Sequence, residues 1–176
     1  VLGGLSMGGQ IVMEFCRLFP GRVRGLLLAC TTHRPDAEEA ALARRALAGR
    51  LVREGMEPYA REVLPKMIAP ATITARPDVA DHVLTMMRTT PPEGAAAALR
   101  GRTLRPDYTG TLARLRVPAS IVAGDGDEFT PVADARAMRD LIPGATLTVV
   151  EDAAHLPNLE HPGAFNEILD DLLRAV

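Results

Sequence analysis

Lysine is almost missing from this chain: Lys66 stands alone among 20 basic residues. With alanine abundant as well, the arginine excess reads as genomic base composition and carries no function. The formal net charge is −2, which excludes a nucleic-acid binder by bulk charge. Cysteine is scarce. Cys16 and Cys30 are too few for a disulfide framework and fit reduced thiols in a cytoplasmic protein. Neither has a ligand-like neighbour in sequence, so no metal is expected. No apolar run approaches the roughly 20 residues of a membrane span. Internal repeats and low-complexity tracts are lacking too. No initiator methionine and no targeting segment can be read, and the chain opens on Val1, already inside an apolar run. The expectation is the second part of a longer protein.

What remains is 176 residues with 47% apolar content, enough for one ordinary domain with a real core. The first ten residues, Val1-Leu2-Gly3-Gly4-Leu5-Ser6-Met7-Gly8-Gly9-Gln10, read as a short strand, a tight turn and the start of a helix. Gly4-x-Ser6-x-Gly8 within them is a nucleophile-elbow pattern. Glycines there let strand and helix approach closely while the serine takes strained backbone angles. The hydroxyl then stands at a helix N-terminus, where the Met7 amide and the helix dipole can hold an oxyanion. The plainer reading is a glycine-rich turn with an incidental serine.

Along the chain, Ile11, Val12, Phe15, Cys16 and Phe19 recur at helical spacing, predicting a helix over 8–19 with one buried face, stopped by Pro20-Gly21. Val23 to Cys30 is a continuous apolar run that suits a buried parallel strand. From Asp36 to Arg116 the strand-like runs vanish. Helices are expected from Asp36 (as a cap) to Arg53, from Pro58 to Ile68, from Pro77 to Arg88, from Pro92 to Arg102 and from Thr109 to Leu115. Alternation resumes with strands over 117–124 and 145–151, a helix over 131–141, and a last helix from Pro162 burying Phe165, Ile168, Leu169, Leu172 and Leu173. Strand–helix alternation implies an α/β fold, a parallel sheet flanked by helices. The expected organisation is a core over 1–32, an all-helical lid insertion over 33–116 sitting over the elbow, and the core remainder over 117–176. In such sheets chemistry gathers at the carboxyl ends of strands, and Ser6, Asp127 and His155 each lie just beyond one.

A serine needs a base to take its proton, and the base needs a group that fixes its tautomer. Three stretches, in the order Ser, Asp, His, supply such a set: Gly4-Leu5-Ser6-Met7-Gly8-Gly9, Gly124-Asp125-Gly126-Asp127-Glu128-Phe129-Thr130-Pro131, and Ala154-His155-Leu156-Pro157-Asn158-Leu159-Glu160-His161-Pro162. On these motifs the chain resembles the α/β-hydrolase superfamily, especially its small esterases, lactonases and enol-lactonases, over nearly its whole length. The resemblance implies Ser6 as nucleophile, His155 as base, Asp127 as acid and the Met7 backbone N–H as one oxyanion donor. It selects Asp127 over the rival carboxylates Asp125 and Glu128 by its place between the strand-ending glycine and Thr-Pro. It implies no cofactor and no metal. It also implies strands before the elbow and a second oxyanion donor that these residues do not include. The elbow strand would then be an open sheet edge, to be covered by the missing part of the fold or by self-association.

The resemblance implies a serine hydrolase of carboxylic esters or lactones, with a small-molecule substrate and no nucleic-acid or membrane partner. Carbon–carbon bond hydrolases, perhydrolases and acyltransferases share the same triad. An inactive module that pairs through its open edge is the alternative of another class. Asp125 and Asp127 do not open a calcium EF-hand, since Thr130 and Arg136 occupy the positions that need Gly and Glu. Asp127 taken alone would be a helix cap. His33, His82 and His161 read as surface histidines, Cys16 as core, and Met67, Met86 and Met87 as packing. Residues 33–116 carry fourteen Lys/Arg against ten Asp/Glu, and the rest six against twelve. This reads as a solvated segment attracted to an acidic core. The sharper reading is a cationic segment steering an anionic acyl substrate.

Overall fold

The computed structural model describes residues 1–176. In chain order the elements are β1 (Leu2–Leu5), α1 (Met7–Leu18), β2 (Leu26–Ala29), α2 (Glu38–Glu54), α3 (Glu57–Met67), α4 (Pro70–Ala75), α5 (Pro77–Thr89), α6 (Pro92–Arg102), α7 (Thr109–Ala113), β3 (Ala119–Gly124), α8 (Val132–Leu141), β4 (Thr146–Val150), α9 (Pro157–Glu160) and α10 (Pro162–Arg174). They form two compact units, Val1–Arg34 with Asp107–Val176, and Pro35–Pro106.

The first unit is a four-stranded parallel sheet in the order β1-β2-β3-β4. Its register pairs Leu2 with Leu26, Leu26 with Ala119, and Ser120 with Thr146. The two central strands, LLLA and ASIVAG, are buried at every position, whereas β4 at the edge is mostly half-exposed or exposed. Successive strand residues face opposite sides. Leu26, Leu28 and Ile121 therefore join one core with Met13 and Cys16 of α1, Leu112 of α7 and Met138 of α8. Leu27, Ala29, Val122 and Val150 join the other, against Leu172 and the flanking Phe165, Ile168 and Leu169 of α10. Each fully buried leucine or isoleucine contributes about 1.5–3 kcal/mol. This is the α/β architecture that the strand–helix alternation implies.

Several local expectations are corrected. Ile11 and Phe19 are exposed, and Met13, buried completely, takes the place in the core that the helical spacing gave to Ile11. Leu173 is exposed, because α10 covers the sheet with a narrower stripe than five apolar residues suggest. His33 is buried, not on the surface, and its carbonyl accepts the Tyr108 N–H at 3.0 Å. The residue pattern grouped α7 with the helical segment. Tyr108, Leu112 and Leu115 instead pack into the sheet's core and keep it there.

The second unit holds α2 to α6, with α2 against α6 and α3 against α5. Ala48, Ala60 and Ala96 are fully buried, and such small side chains let helices approach closely. Proline opens α4, α5 and α6 at positions where its missing N–H costs nothing. Asp36 does not cap α2; Ala37 holds that position. Its carboxylate instead accepts from Arg44 at 2.7 Å and from Arg105 at 2.9 Å. No helix is long and apolar enough to cross a membrane.

Candidate active site

Ser6 sits between β1 and α1 with φ 54° and ψ −116°, a conformation that costs a non-glycine residue about 1–3 kcal/mol. The surroundings hold it there. Its N–H donates to Ala29 O at 2.9 Å, and its carbonyl accepts the Thr31 hydroxyl at 2.7 Å. A Cβ on Gly4 would run into the backbone of Gly8 and Gly9, so the crossing of β1 and α1 requires glycine there. Met7 opens α1, among the first amides of a helix, which have no intrahelical acceptor. The positive end of the helix dipole lies at the same place.

Asp127 lies in the loop after β3, buried to 5% exposure. It accepts the Phe129 N–H (2.8 Å) and the Thr130 N–H (3.2 Å) on Oδ1. On Oδ2 it accepts the Thr130 hydroxyl at 2.5 Å. The cap position of α8 belongs to Pro131, so Asp127 is not a helix cap. Of the rival carboxylates, Asp125 is exposed and accepts the Ala153 N–H at 3.3 Å, and Glu128 is exposed. Gly124 passes so close to the carbonyls of Ala153 and Ala154 that any side chain there would collide with them. The loop of Asp127 is thereby braced against the loop of His155.

His155 follows β4 and is 4% exposed. Its Nδ1 is 2.8 Å from Asp127 Oδ2 and its Nε2 is 2.8 Å from Ser6 Oγ. A buried carboxylate on Nδ1 selects the tautomer with the proton on that nitrogen, which leaves the Nε2 lone pair facing the serine hydroxyl. Phe129 packs edge-on against the imidazole, with ring centroids 4.9 Å apart. The Ala154 N–H next to His155 donates to the buried Glu160 at 2.7 Å. Burial alone pushes the Asp127 carboxyl up. The bond and charge of His155, the Thr130 hydroxyl and the Phe129 N–H outweigh it and hold Asp127 below the usual carboxylate range.

Ser6, His155 and Asp127 thus meet in one hydrogen-bonded chain above the carboxyl ends of β1, β3 and β4. Sequence reasoning missed the supporting residues. Thr130 could have been found, because Asp-x-x-Thr is a local side-chain-to-backbone capping spacing. Thr31 and Glu160 carried no local signal. Cys30 was also missed. Its Sγ, an Asp127 carboxylate oxygen and a His155 ring nitrogen lie within 4.8 Å of one another, the donor group here that could hold a cation. His33, beyond β2, is buried with Nδ1 unpaired, and burial holds its pKa below the ordinary histidine value.

The model of the alpha/beta hydrolase family matches residues 1–168. The chain is 30% identical over 175 residues to 3-oxoadipate enol-lactonase 2 of Acinetobacter baylyi, covering 97% of this chain and 62% of that protein. It is 29% identical over 181 residues to a pimeloyl-[acyl-carrier protein] methyl ester esterase of Neisseria meningitidis, covering 98% and 56%. Among solved structures it is similar to a thermophilic esterase from Thermogutta terrifontis, at 38% identity and TM-score 0.93, covering 98% of this chain and 63% of that one. The enol-lactonase from Burkholderia xenovorans LB400 gives 27%, 0.87, 98% and 64%. The chain therefore spans about three fifths of the length of these relatives. With its parallel sheet and its elbow in place, this chain belongs to the alpha/beta hydrolase family.

Proposed function

We propose that this chain carries the nucleophile, base and acid of a serine hydrolase that cleaves carboxylic esters or lactones through an acyl-enzyme. One observation carries the reading: the unbroken relay Ser6 Oγ, His155 Nε2, His155 Nδ1, Asp127 Oδ2, with 2.8 Å at both junctions. Ser6 attacks the carbonyl carbon as its proton passes to His155 Nε2. The carbonyl oxygen takes the electron pair and is held by the Met7 N–H. The tetrahedral adduct collapses, and His155 returns the proton to the departing alkoxide. Water, deprotonated by the same nitrogen, then releases the acyl group and restores Ser6. Asp127 keeps the imidazole in the productive tautomer and stabilises the imidazolium. No step calls for a metal or an organic cofactor.

The ester and lactone classes are favoured by the names of the relatives, which are esterases and enol-lactonases. A second oxyanion donor is proposed to come from chain that pairs with the open edge of β1, either a preceding segment or a second copy. Lacking one donor costs about 10²–10³ in turnover. The test is therefore covalent labelling of the chain with a fluorophosphonate probe, which needs only an activated serine. Labelling at Ser6 that disappears in Ser6→Ala and falls at least a hundredfold in His155→Ala is the expected result. Labelling that survives Ser6→Ala overturns the assignment. Hydrolysis of short p-nitrophenyl esters, measured with the N-terminal part of the fold supplied, follows the same variants.

A further inference from the structure

Cys30 has no part in the relay, yet it lies directly beneath it. It follows β2, as Ser6, Asp127 and His155 follow β1, β3 and β4, so four consecutive strands deliver four reactive side chains to one place. Its backbone is held at φ 45°, in the left-handed region, with its N–H on Val122 O at 2.9 Å. That strain is unusual for a side chain that only fills space. Cys30 is 1% exposed, and Ala154 O lies 4.0 Å from its sulfur.

A thiol, an imidazole and a carboxylate within 4.8 Å of one another, all buried, are a sulfur, nitrogen and oxygen donor set. Such a set suits borderline-soft divalent cations such as Zn²⁺ and Cd²⁺, and does not suit Mg²⁺ or Ca²⁺, which take oxygens. Metal–ligand bonds of about 2.0–2.3 Å put tetrahedral ligands roughly 3.3–3.8 Å apart, so closure draws in the widest separation by about 1 Å and opens His155 Nδ1 from Asp127 Oδ2, which are 2.8 Å apart. We propose that Cys30, Asp127 and His155 form an inhibitory site for a thiophilic divalent cation, which switches off the serine above it. The switching consequence rests on the serine-hydrolase reading; the cation site does not.

The chemistry balances without an oxidant. The cation binds the Cys30 sulfur and releases the thiol proton to solvent. It takes the Nδ1 lone pair of His155, and the single imidazole proton moves to Nε2. Nε2–H then donates to Ser6 Oγ. The lone pair that accepted the serine proton is gone, and the carboxylate of Asp127 is turned from the ring to the metal. The nucleophile stays in place but loses its base, and a chelator reverses the change.

The experiment adds CdCl₂ to the whole chain and follows the ultraviolet charge-transfer absorption of a cadmium thiolate. One equivalent should saturate the band. It should vanish in Cys30→Ser and Cys30→Ala, weaken at least tenfold in affinity in His155→Ala and Asp127→Asn, and persist in Cys16→Ala, whose thiol projects from α1 into the core. Circular dichroism verifies that each variant is folded, and Cys30→Ser keeps the thiol's shape if Cys30→Ala does not fold. A band that survives Cys30→Ser, or is indifferent to His155 and Asp127, overturns the site. Fluorophosphonate labelling of Ser6 should fall at least tenfold with Cd²⁺, return with EDTA and ignore Mg²⁺. Undiminished labelling in the presence of the band overturns the switch. Failure of the metal-free chain to label at all counts against the hydrolase reading instead, and the absorption band still decides the site.

Discussion

In the sheet unit, Leu26, Leu28 and Ile121 are completely buried, and its ion pairs, the triad apart, are short-range surface contacts such as Glu14–Arg17 and Asp171–Arg174. The helical unit reverses this. Its buried residues are largely alanine and valine, its helices are cross-linked by Arg50 to Glu62 and by Glu57 to Arg88, and Asp36 joins Arg44 and Arg105. Apolar packing at interior density holds atoms to a fraction of an ångström. Exposed ion pairs contribute about 0–1 kcal/mol each and weaken with salt. The hydrogen-bonded Ser6, His155 and Asp127 thus sit on the part held by packing.

The sharpest way to break this contrast is Asp36→Ala. The Asp36 and Arg105 side chains are 5% and 6% exposed, so their pair is a desolvated ion contact within the helical unit. Removing one partner of a buried pair costs about 3–5 kcal/mol. Amide exchange should accelerate in α2 and α6 while β2 and β3 keep their protection; a uniform loss across both units would sink the distinction. Next, Leu28→Ala should cost about 2–5 kcal/mol in urea unfolding, and with it the labelling of Ser6 at moderate denaturant.

Acid gives a finer test. Burial alone pushes the Asp36 carboxyl up, but Arg44 and Arg105 outweigh it and hold it below the usual range. A depressed folded pKa adds stability that is complete above the unfolded value of about 3.9 and is lost as pH falls through the folded one. Asp127 obeys the same sign with His155 as partner. Both units should weaken below about pH 4, and Asp36→Asn should remove that acid sensitivity from the helical unit only. The smallest effect belongs to Glu62→Gln, which frees Arg50 of a half-exposed partner. Less than about 1 kcal/mol should be lost, and the loss should disappear in 1 M salt.

The triad was legible because each member follows an apolar strand inside a short motif, and strand ends in a parallel sheet converge. Main-chain alternation was legible for the same reason. Less local facts were not. Nothing near Asp36 announces that its partner is Arg105, at the far end of the insertion, so a capping role was the natural inference from Asp before a helix. Ile11 and Leu173 satisfy the helical period yet face water, since spacing does not reveal how wide a stripe the neighbouring sheet covers. α4 and α9 are too short to carry a period. Cys30 looked like the last residue of a buried strand, and only the sheet order brings it under Asp127 and His155.

Because strand order equals chain order, the polypeptide leaves the sheet at β2 and comes back at its immediate neighbour β3, with Leu26 still opposite Ala119. A crossover of this kind has no upper limit on its content: its two ends are fixed about one strand spacing apart, and anything whose stems meet can be spliced between them. The Asp36–Arg105 clasp supplies such stems. A helical unit of another size can therefore replace α2 to α6 while the register of β2 on β3 stays as it is.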